Sequence, residues 1–175
     1  MKAMTMTETL HSAPAYASNK GIATKAKKAL GKALLHSEEA HGELALFVER
    51  EQLLPAMIAL RDQLDYQQCM EIAGVDWPDR APRFEVVYCL LSVTSNHRLR
   101  VHVATDEDQP VPSLTSIWSN AGWLEREVYD MYGVIFAGNL DLRRILTDYG
   151  FVGHPQRKDF PLSGFIELSY CEEEK

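Results

Sequence analysis

The stretch that decides the fold is Phe84-Glu-Val-Val-Tyr-Cys-Leu-Leu-Ser-Val93, joined through Ser95-Asn96-His97 to Leu99-Arg-Val-His-Val-Ala104. The first run is strand length, well short of the ~18 apolar residues of a membrane span. In the second run Leu99, Val101 and Val103 alternate with Arg100 and His102, so one face is buried and the other is wet. Two strands joined by a tight polar turn are antiparallel. Upstream, Leu44–Val48 reads as a strand. Residues 49–63 place Leu53, Leu54, Met57, Ile58 and Leu60 at helical spacing, with acidic residues near the start suiting the positive end of the helix dipole. Cys69–Val75 is another strand, closed by Gly74 and the turn Asp76-Trp-Pro78. The expected class is α+β, a mixed or antiparallel sheet with packed helices.

Downstream of Pro110 and Pro112, Ser113 offers an N-cap for a helix whose core stripe is Leu114, Ile117, Ala121, Leu124, Val128 and Met131, ended by Gly133. Beyond Val134-Ile-Phe136 the chain carries Gly138, Gly150, Gly153, Pro155, Pro161 and Gly164 among aromatics and charges, without a period of 2 or 3.6. The other end is different again. Residues 1–36 hold six lysines against Glu8, a net of +5 that leaves −12 for the rest of a chain of net charge −7. Up to Ser18 this arm reads as disordered, and Lys25 to His36 as a short basic helix. The expected division is a basic, largely disordered arm (1–39), an α+β domain (40–136) and an extended tail (137–175).

The acidic balance excludes nucleic acid as the main partner, because phosphate binding needs surplus clustered Lys and Arg. Cys69, Cys89 and Cys171 are scattered, so no CxxC pair exists to hold an iron–sulfur centre or structural zinc. They read as reduced thiols of a reducing compartment.

Two constellations carry charge. The first is Glu125-Arg126-Glu127 with Asp130 on one helix. A two-carboxylate catalyst needs its acids converging from different elements on one cleft, so docking geometry explains this set better. In the second, Arg143 and Arg144 precede Tyr149, Phe151, His154, Arg157, Lys158, Asp159 and Phe160. No GxGxxG or GxxxxGK[ST] cradle accompanies these cations, which weakens a phosphate-binding reading. His154 has no second histidine three or four positions away and reads as a hydrogen-bonded turn residue. Aromatics beside arginines are the usual anchors of protein interfaces, so the tail is expected to lie across another polypeptide.

The pattern Glu-Arg-Glu-x-x-Asp-x-x-Gly (125–133), followed by Leu-Arg-Arg-Ile-Leu-Thr-Asp-Tyr-Gly-Phe-x-Gly-His-Pro-x-Arg-Lys-Asp-Phe-Pro (142–161), resembles the signature of the C-type subunit of proton-pumping NADH:quinone oxidoreductase, respiratory complex I, called in mitochondria the thirty-kilodalton subunit. The resemblance is close over the last third and extends as layout only to 42–104. It implies a non-redox structural subunit of the quinone-reducing module, with FMN and iron–sulfur clusters confined to partner subunits. It also implies D-, B- and I-type partners, and association with the cytoplasmic face of the bacterial inner membrane, or the mitochondrial matrix side, through the complex. Glu125, Arg126, Glu127, Asp130, Arg143, Arg144, Tyr149, Phe151, His154, Arg157, Lys158, Asp159 and Phe160 are then partner-docking residues. Departures are Val152, where the family commonly has an acid, and Gln156, where it commonly has Leu. The end at Lys175 is read as a naturally short or reduced C-terminal anchor. The rival readings are a free-standing enzyme using Glu125, Asp130 and His154, and an adaptor of a related membrane hydrogenase.

Overall fold

A computed structural model describes residues 16–166 and 169–173; the disorder expected of the first fifteen residues lies outside them. The elements run α1 (Ile22–Leu30), β1 (Leu34–Ala40), β2 (Glu43–Val48), α2 (Leu53–Leu64), β3 (Gln68–Asp76), β4 (Phe84–Ser92), β5 (His97–Thr105), β6 (Val111–Pro112), α3 (Ala121–Tyr132) and β7 (Phe136–Ala137). Five strands form one sheet in the order β1-β2-β5-β4-β3. β4 and β5 pair antiparallel from Phe84↔Thr105 to Ser92↔His97, with Asn96 at φ 50° in the turn. β2 joins β5 in parallel over Ala45–Phe47, which makes the sheet mixed. The architecture is the α+β class expected.

Alternation places the core. Phe84, Val86, Tyr88 and Leu90 of β4 share a buried face with Leu99, Val101 and Val103 of β5, and α2 lays Leu53, Ala56, Met57 and Leu60 into the same cluster. Each such large apolar side chain contributes about 1.5–3 kcal/mol on burial. Pro55 is tolerated because the first turn of a helix has no N–H acceptors of its own.

The structure differs from the sequence reading in two places. The supposed free arm up to residue 39 contains α1 and β1, so the folded body starts near Ile22. Ala26 and Leu30 of α1 are buried against the core while Lys25, Lys27 and Lys28 face out. In α1 the apolar stripe is short and rests partly on alanine among lysines, and the edge strand β1, exposed on both faces, shows no period. Gly31, at φ 55°, stops α1 well before His36. The second difference is the start of α3 at Ala121 instead of Ser113. The Ser113 hydroxyl accepts the Thr115 N–H (3.2 Å) and so caps a single turn. That turn is pinned to the edge of β3 by the Trp118 indole N–H on the Gln67 carbonyl (2.9 Å) and the Asn120 amide on the Cys69 carbonyl (2.8 Å). Gly133 ends α3 at φ 81°, as expected.

Candidate functional site

The charged set on α3 faces its own chain. Glu125 is fully buried; its carboxylate accepts the Leu114 N–H (2.6 Å), the Ser113 hydroxyl (2.8 Å) and the Asn139 amide (2.8 Å). Burial pushes its carboxyl up, and those three donors only partly offset the push. Arg126 donates through Nε to the Arg143 carbonyl (3.0 Å) and through a terminal nitrogen to the Arg144 carbonyl (2.9 Å), with its guanidinium 5.1 Å from the Trp123 ring. Asp130, also fully buried, collects the N–H groups of Ile145 (2.9 Å), Leu146 (2.8 Å) and Thr147 (2.9 Å) on one oxygen. Its other oxygen takes the Thr147 hydroxyl (2.7 Å) and the Arg144 guanidinium (2.8 Å). Burial opposes the charge of Asp130, yet the hydrogen bonds from Thr147, Ile145 and Leu146 win and hold its carboxyl well below the usual range.

The tail also completes α3. The last carbonyls of a helix have no intrahelical partner. Here the Tyr129 carbonyl takes the Gly133 N–H (2.8 Å), the Met131 carbonyl the Gln156 N–H (3.1 Å) and the Tyr132 carbonyl the Arg157 Nε (2.6 Å), while His154 Nδ1 closes on the Asp130 carbonyl (2.9 Å). Arg144 and Arg157 thereby sit at the negative end of the helix dipole. Burial first, then the two arginines, pull the His154 imidazole down in pKa against the opposing hydrogen bond to Asp130. Gly133 makes this closure possible. A Cβ there would stand 2.6 Å from His154 Nε2, besides occupying a left-handed conformation.

A second attachment lies at the β3–β4 turn. Asp76 and Arg83 form a two-point pair (2.7 and 2.8 Å), and Asp76 also accepts the Lys158 N–H (2.8 Å). A third guanidinium nitrogen of Arg83 reaches Asp159 (3.0 Å), and Arg157 reaches Glu107 (2.6 Å). Lys158 Nζ lies 5.2 Å from the Trp77 ring centre and the Arg157 guanidinium 4.9 Å from that of Phe84. The Arg83 hydrogen bond holds Asp76 below the usual carboxylate range.

Outward from these attachments the tail is apolar. Tyr149, Val152, Phe165 and Ile166 are exposed and, with Phe151 and Phe160, line an open groove of ≈ 520 Å³. The Phe160 ring centre lies 5.9 Å from Phe151 and 5.3 Å from Phe165. Glu127 stands apart from the rest, in a shallow cleft between α3 and β3 that also holds Glu71 and Gln156. Glu125, Arg126, Asp130, Arg144, His154 and Arg157, expected to face a partner, all make hydrogen bonds within the chain. Asp130 accepts N–H groups of the tail, while Arg126 donates to tail carbonyls and Arg157 to the last carbonyl of α3. The carboxylates of Glu125 and Asp130 and Nδ1 of the His154 imidazole are all held in internal contacts. Among the described residues, no group of three or more His, Cys, Asp or Glu is placed to hold a metal ion, and no helix is long and apolar enough to cross a membrane.

Sequence reasoning missed Asp76, Arg83 and Glu107 as attachment points and read Gly133 only as a helix end. The three charged residues carry no distinguishing signal until the tail is laid beside them.

Residues 46–166 match the family model described as respiratory-chain NADH dehydrogenase, 30 Kd subunit, which covers more than half of the chain. The chain belongs to that family. Among curated 30 kDa relatives, the NADH-quinone oxidoreductase C-type subunit of Novosphingobium aromaticivorans is 61% identical over 166 residues, covering 95% of this chain and 54% of that protein. The C-type subunit of Erythrobacter litoralis is also 61% identical over 166 residues, covering 95% and 66%. The chain thus spans between about half and two thirds of the length of these relatives. In Sinorhizobium medicae the corresponding subunit is 51% identical over 156 residues, covering 88% and 78%. A solved trypsin-resistant fragment (1–134) of Nqo5 is 30% identical, with a TM-score of 0.60 over 70% of this chain and 98% of that one. A chain of an archaeal membrane-bound sulfane sulfur reductase shares the fold, with a TM-score of 0.70 at 21% identity over 88% of this chain and 96% of that one. In this member of the 30 kDa family, Arg126 and Asp130 of α3 bond to the tail, and His154 and Arg157 of the tail bond to the last turn of α3.

Proposed function

We propose that this chain is a non-redox structural subunit of the peripheral arm of NADH:quinone oxidoreductase, in the module that reduces quinone. In this reading the assembly passes electrons from NADH to quinone and moves protons. FMN and iron–sulfur clusters reside in neighbouring subunits, and this chain carries no catalytic centre. Its neighbours are subunits of the D, B and I types, and it reaches the cytoplasmic face of the inner membrane only through them. One observation carries the reading. In a chain of this family, Glu125, Arg126, Asp130, Arg144, His154 and Arg157 are engaged internally, while the tail presents an exposed apolar groove. Such a surface suits a protein neighbour better than a substrate.

Native electrophoresis of gently solubilised membranes tests this. The chain should migrate in a very large particle that oxidises NADH, and its removal should abolish quinone reduction by that particle. Migration near 20 kDa, with turnover by the lone chain, would overturn the proposal.

A further inference from the structure

The lysines around α1 lack what the arginines of the tail possess, an acceptor inside the chain. Arg143, Arg144 and Arg157 each meet a carboxylate. Residues 20–32 instead hold Lys20, Lys25, Lys27, Lys28 and Lys32 without an acid between them, and no ion pair reaches any of the five among the described residues. Two of them, Lys25 and Lys28, stand three positions apart on one face of the helix and line a cavity of ≈ 460 Å³. The cavity lies between α1, the end of α2 and the β4–β5 turn. Its volume falls within the range of small-molecule sites, about 300–1,000 Å³.

The floor of the cavity is fixed. Tyr66 and His97 are bonded to each other (2.7 Å), and His97 Nε2 meets the Asn19 amide oxygen (2.9 Å). The Asn19 nitrogen in turn donates to Glu39 (2.9 Å) and to the Gly42 carbonyl (3.0 Å), so the chain entering α1 is tied to the sheet. Ile22, Ala29 and Leu64 supply apolar wall. The charged walls differ in sign. Lys25 and Lys28 make the α1 wall positive. On the α2 wall the last carbonyls of the helix, at the negative end of its dipole, stand beside Asp65, which ends the helix at φ 59°. The side chains of Lys25, Lys28, Asp65, Gln63 and Ser95, all lining the cavity, have no hydrogen bond or ion pair among the described residues.

We propose that this cavity binds a nucleotide whose base carries an exocyclic amine, with the phosphates between Lys25 and Lys28 and the amine at Asp65. Hydrogen bonds from an ammonium to a phosphate are roughly twice as strong as neutral ones, and two lysines on adjacent turns can share one phosphoryl group. A plain anion such as pyrophosphate satisfies the lysines but is repelled by Asp65 and the α2 carbonyls. An uncharged nucleoside satisfies Asp65 and leaves the lysines without an acceptor. A nucleotide meets both walls, and its base and ribose cover Ile22, Ala29 and Leu64. Phosphoethanolamine carries the same two kinds of group but is too small to fill the space. Because the floor is already held, little ordering opposes binding, and more of the contact energy appears as affinity. The site lies apart from the tail, so the inference stands independently of the docking role.

Equilibrium dialysis of the purified full chain against ADP, adenosine, pyrophosphate and phosphoethanolamine at ~0.1 M salt tests the site. ADP should bind with a Kd below ~1 mM, and each of the other three at least ~10-fold more weakly. Lys25→Gln and Lys28→Gln should each weaken ADP at least ~10-fold, the scale of one charge-assisted hydrogen bond. Lys27→Gln removes the same charge from a residue outside the cavity lining and should change ADP binding less than ~2-fold. Asp65→Asn, which keeps a side chain tolerant of the left-handed conformation, should lower the preference for ADP over pyrophosphate at least ~5-fold. Urea midpoints of the four variants should match wild type. Three results would each overturn the inference. They are no ADP bound at ~10 mM, an equal loss in Lys27→Gln and Lys25→Gln, which marks a diffuse basic surface, and pyrophosphate or phosphoethanolamine binding as tightly as ADP, which marks a site for anions or lipid headgroups.

Discussion

His154 Nδ1 lies 2.9 Å from the backbone carbonyl oxygen of Asp130, so a residue 24 positions downstream closes the last turn of α3. The side chain of Asp130 reaches toward the same tail and takes the N–H groups of Ile145, Leu146 and Thr147. One residue thus holds the tail twice, by its backbone on one side and its carboxylate on the other. The tail and the end of α3 satisfy each other's polar groups, and neither is complete alone.

Asp130→Ala removes the acceptor of three backbone N–H groups and a hydroxyl in a site closed to solvent. Each lost bond to a charged group costs about 1.5–3 kcal/mol, but the tail recovers part of this by opening to water. The expected outcome is local: amide exchange at 145–147 rises by at least ~100-fold, and trypsin cuts at Arg143 and Arg144, while urea unfolding of the sheet is little changed. Unaltered exchange at 145–147 would show that the carboxylate does not hold the tail.

Glycine positions give a paired test. Gly133→Ala puts a methyl group against His154 and Arg157 at φ 81°, where an L-residue is already strained, and should destabilise by about 1–3 kcal/mol. Gly122→Ala lies inside α3 with only Thr115 Cγ2 near, at 3.4 Å, and should stabilise by about 0.5–1 kcal/mol. Urea midpoints measure both. Equal shifts of the same sign would contradict the proposed closure at Gly133.

Acid should weaken the fold in two stages. Burial lowers the His97 pKa, so the unfolded chain binds more protons as pH falls through about 6.5, and the stability from the neutral ring is lost below that. Asp130 and Asp76 are held below the usual carboxylate value; their contribution is complete above about pH 4 and disappears as pH falls through their folded-state values. The measurement is thermal stability from pH 7 to 3. Asp130→Asn should flatten the lower limb and leave the upper one intact, and an unchanged lower limb would remove Asp130 from the account.

The body of the fold was legible where burial imposes a period. Leu99, Val101 and Val103 show period 2, and Leu53, Met57 and Leu60 show helical spacing, since each element has one wet and one dry face. α1 was legible only as a short basic helix displaced toward His36, because its buried contact uses Ala26 beside three lysines, and β1 escaped because an edge strand buries neither face. The tail's attachments were illegible for a different reason. Lys158 donates its N–H to Asp76 across 82 positions, and a backbone donor carries no side-chain signature. The arginines were recognised as binding groups but assigned to a neighbour, because spacing alone does not distinguish an internal carbonyl from an external acid.

Two buried tyrosines separate the worth of a hydroxyl from that of its ring. Tyr66 places its hydroxyl 2.7 Å from His97 Nδ1, and His97 Nε2 lies 2.9 Å from the Asn19 amide oxygen, which ties the chain before α1 to the sheet. The Tyr88 hydroxyl, fully enclosed in the core, has no hydrogen-bond partner among the described residues, and burial drives its pKa well above the usual value. Tyr66→Phe should therefore cost about 1–3 kcal/mol by stranding a buried imidazole nitrogen, whereas Tyr88→Phe should be neutral or stabilise by up to about 2 kcal/mol. Urea midpoints of the two variants decide it, and a loss for Tyr88→Phe as large as that for Tyr66→Phe would mean that the Tyr88 hydroxyl is bonded after all.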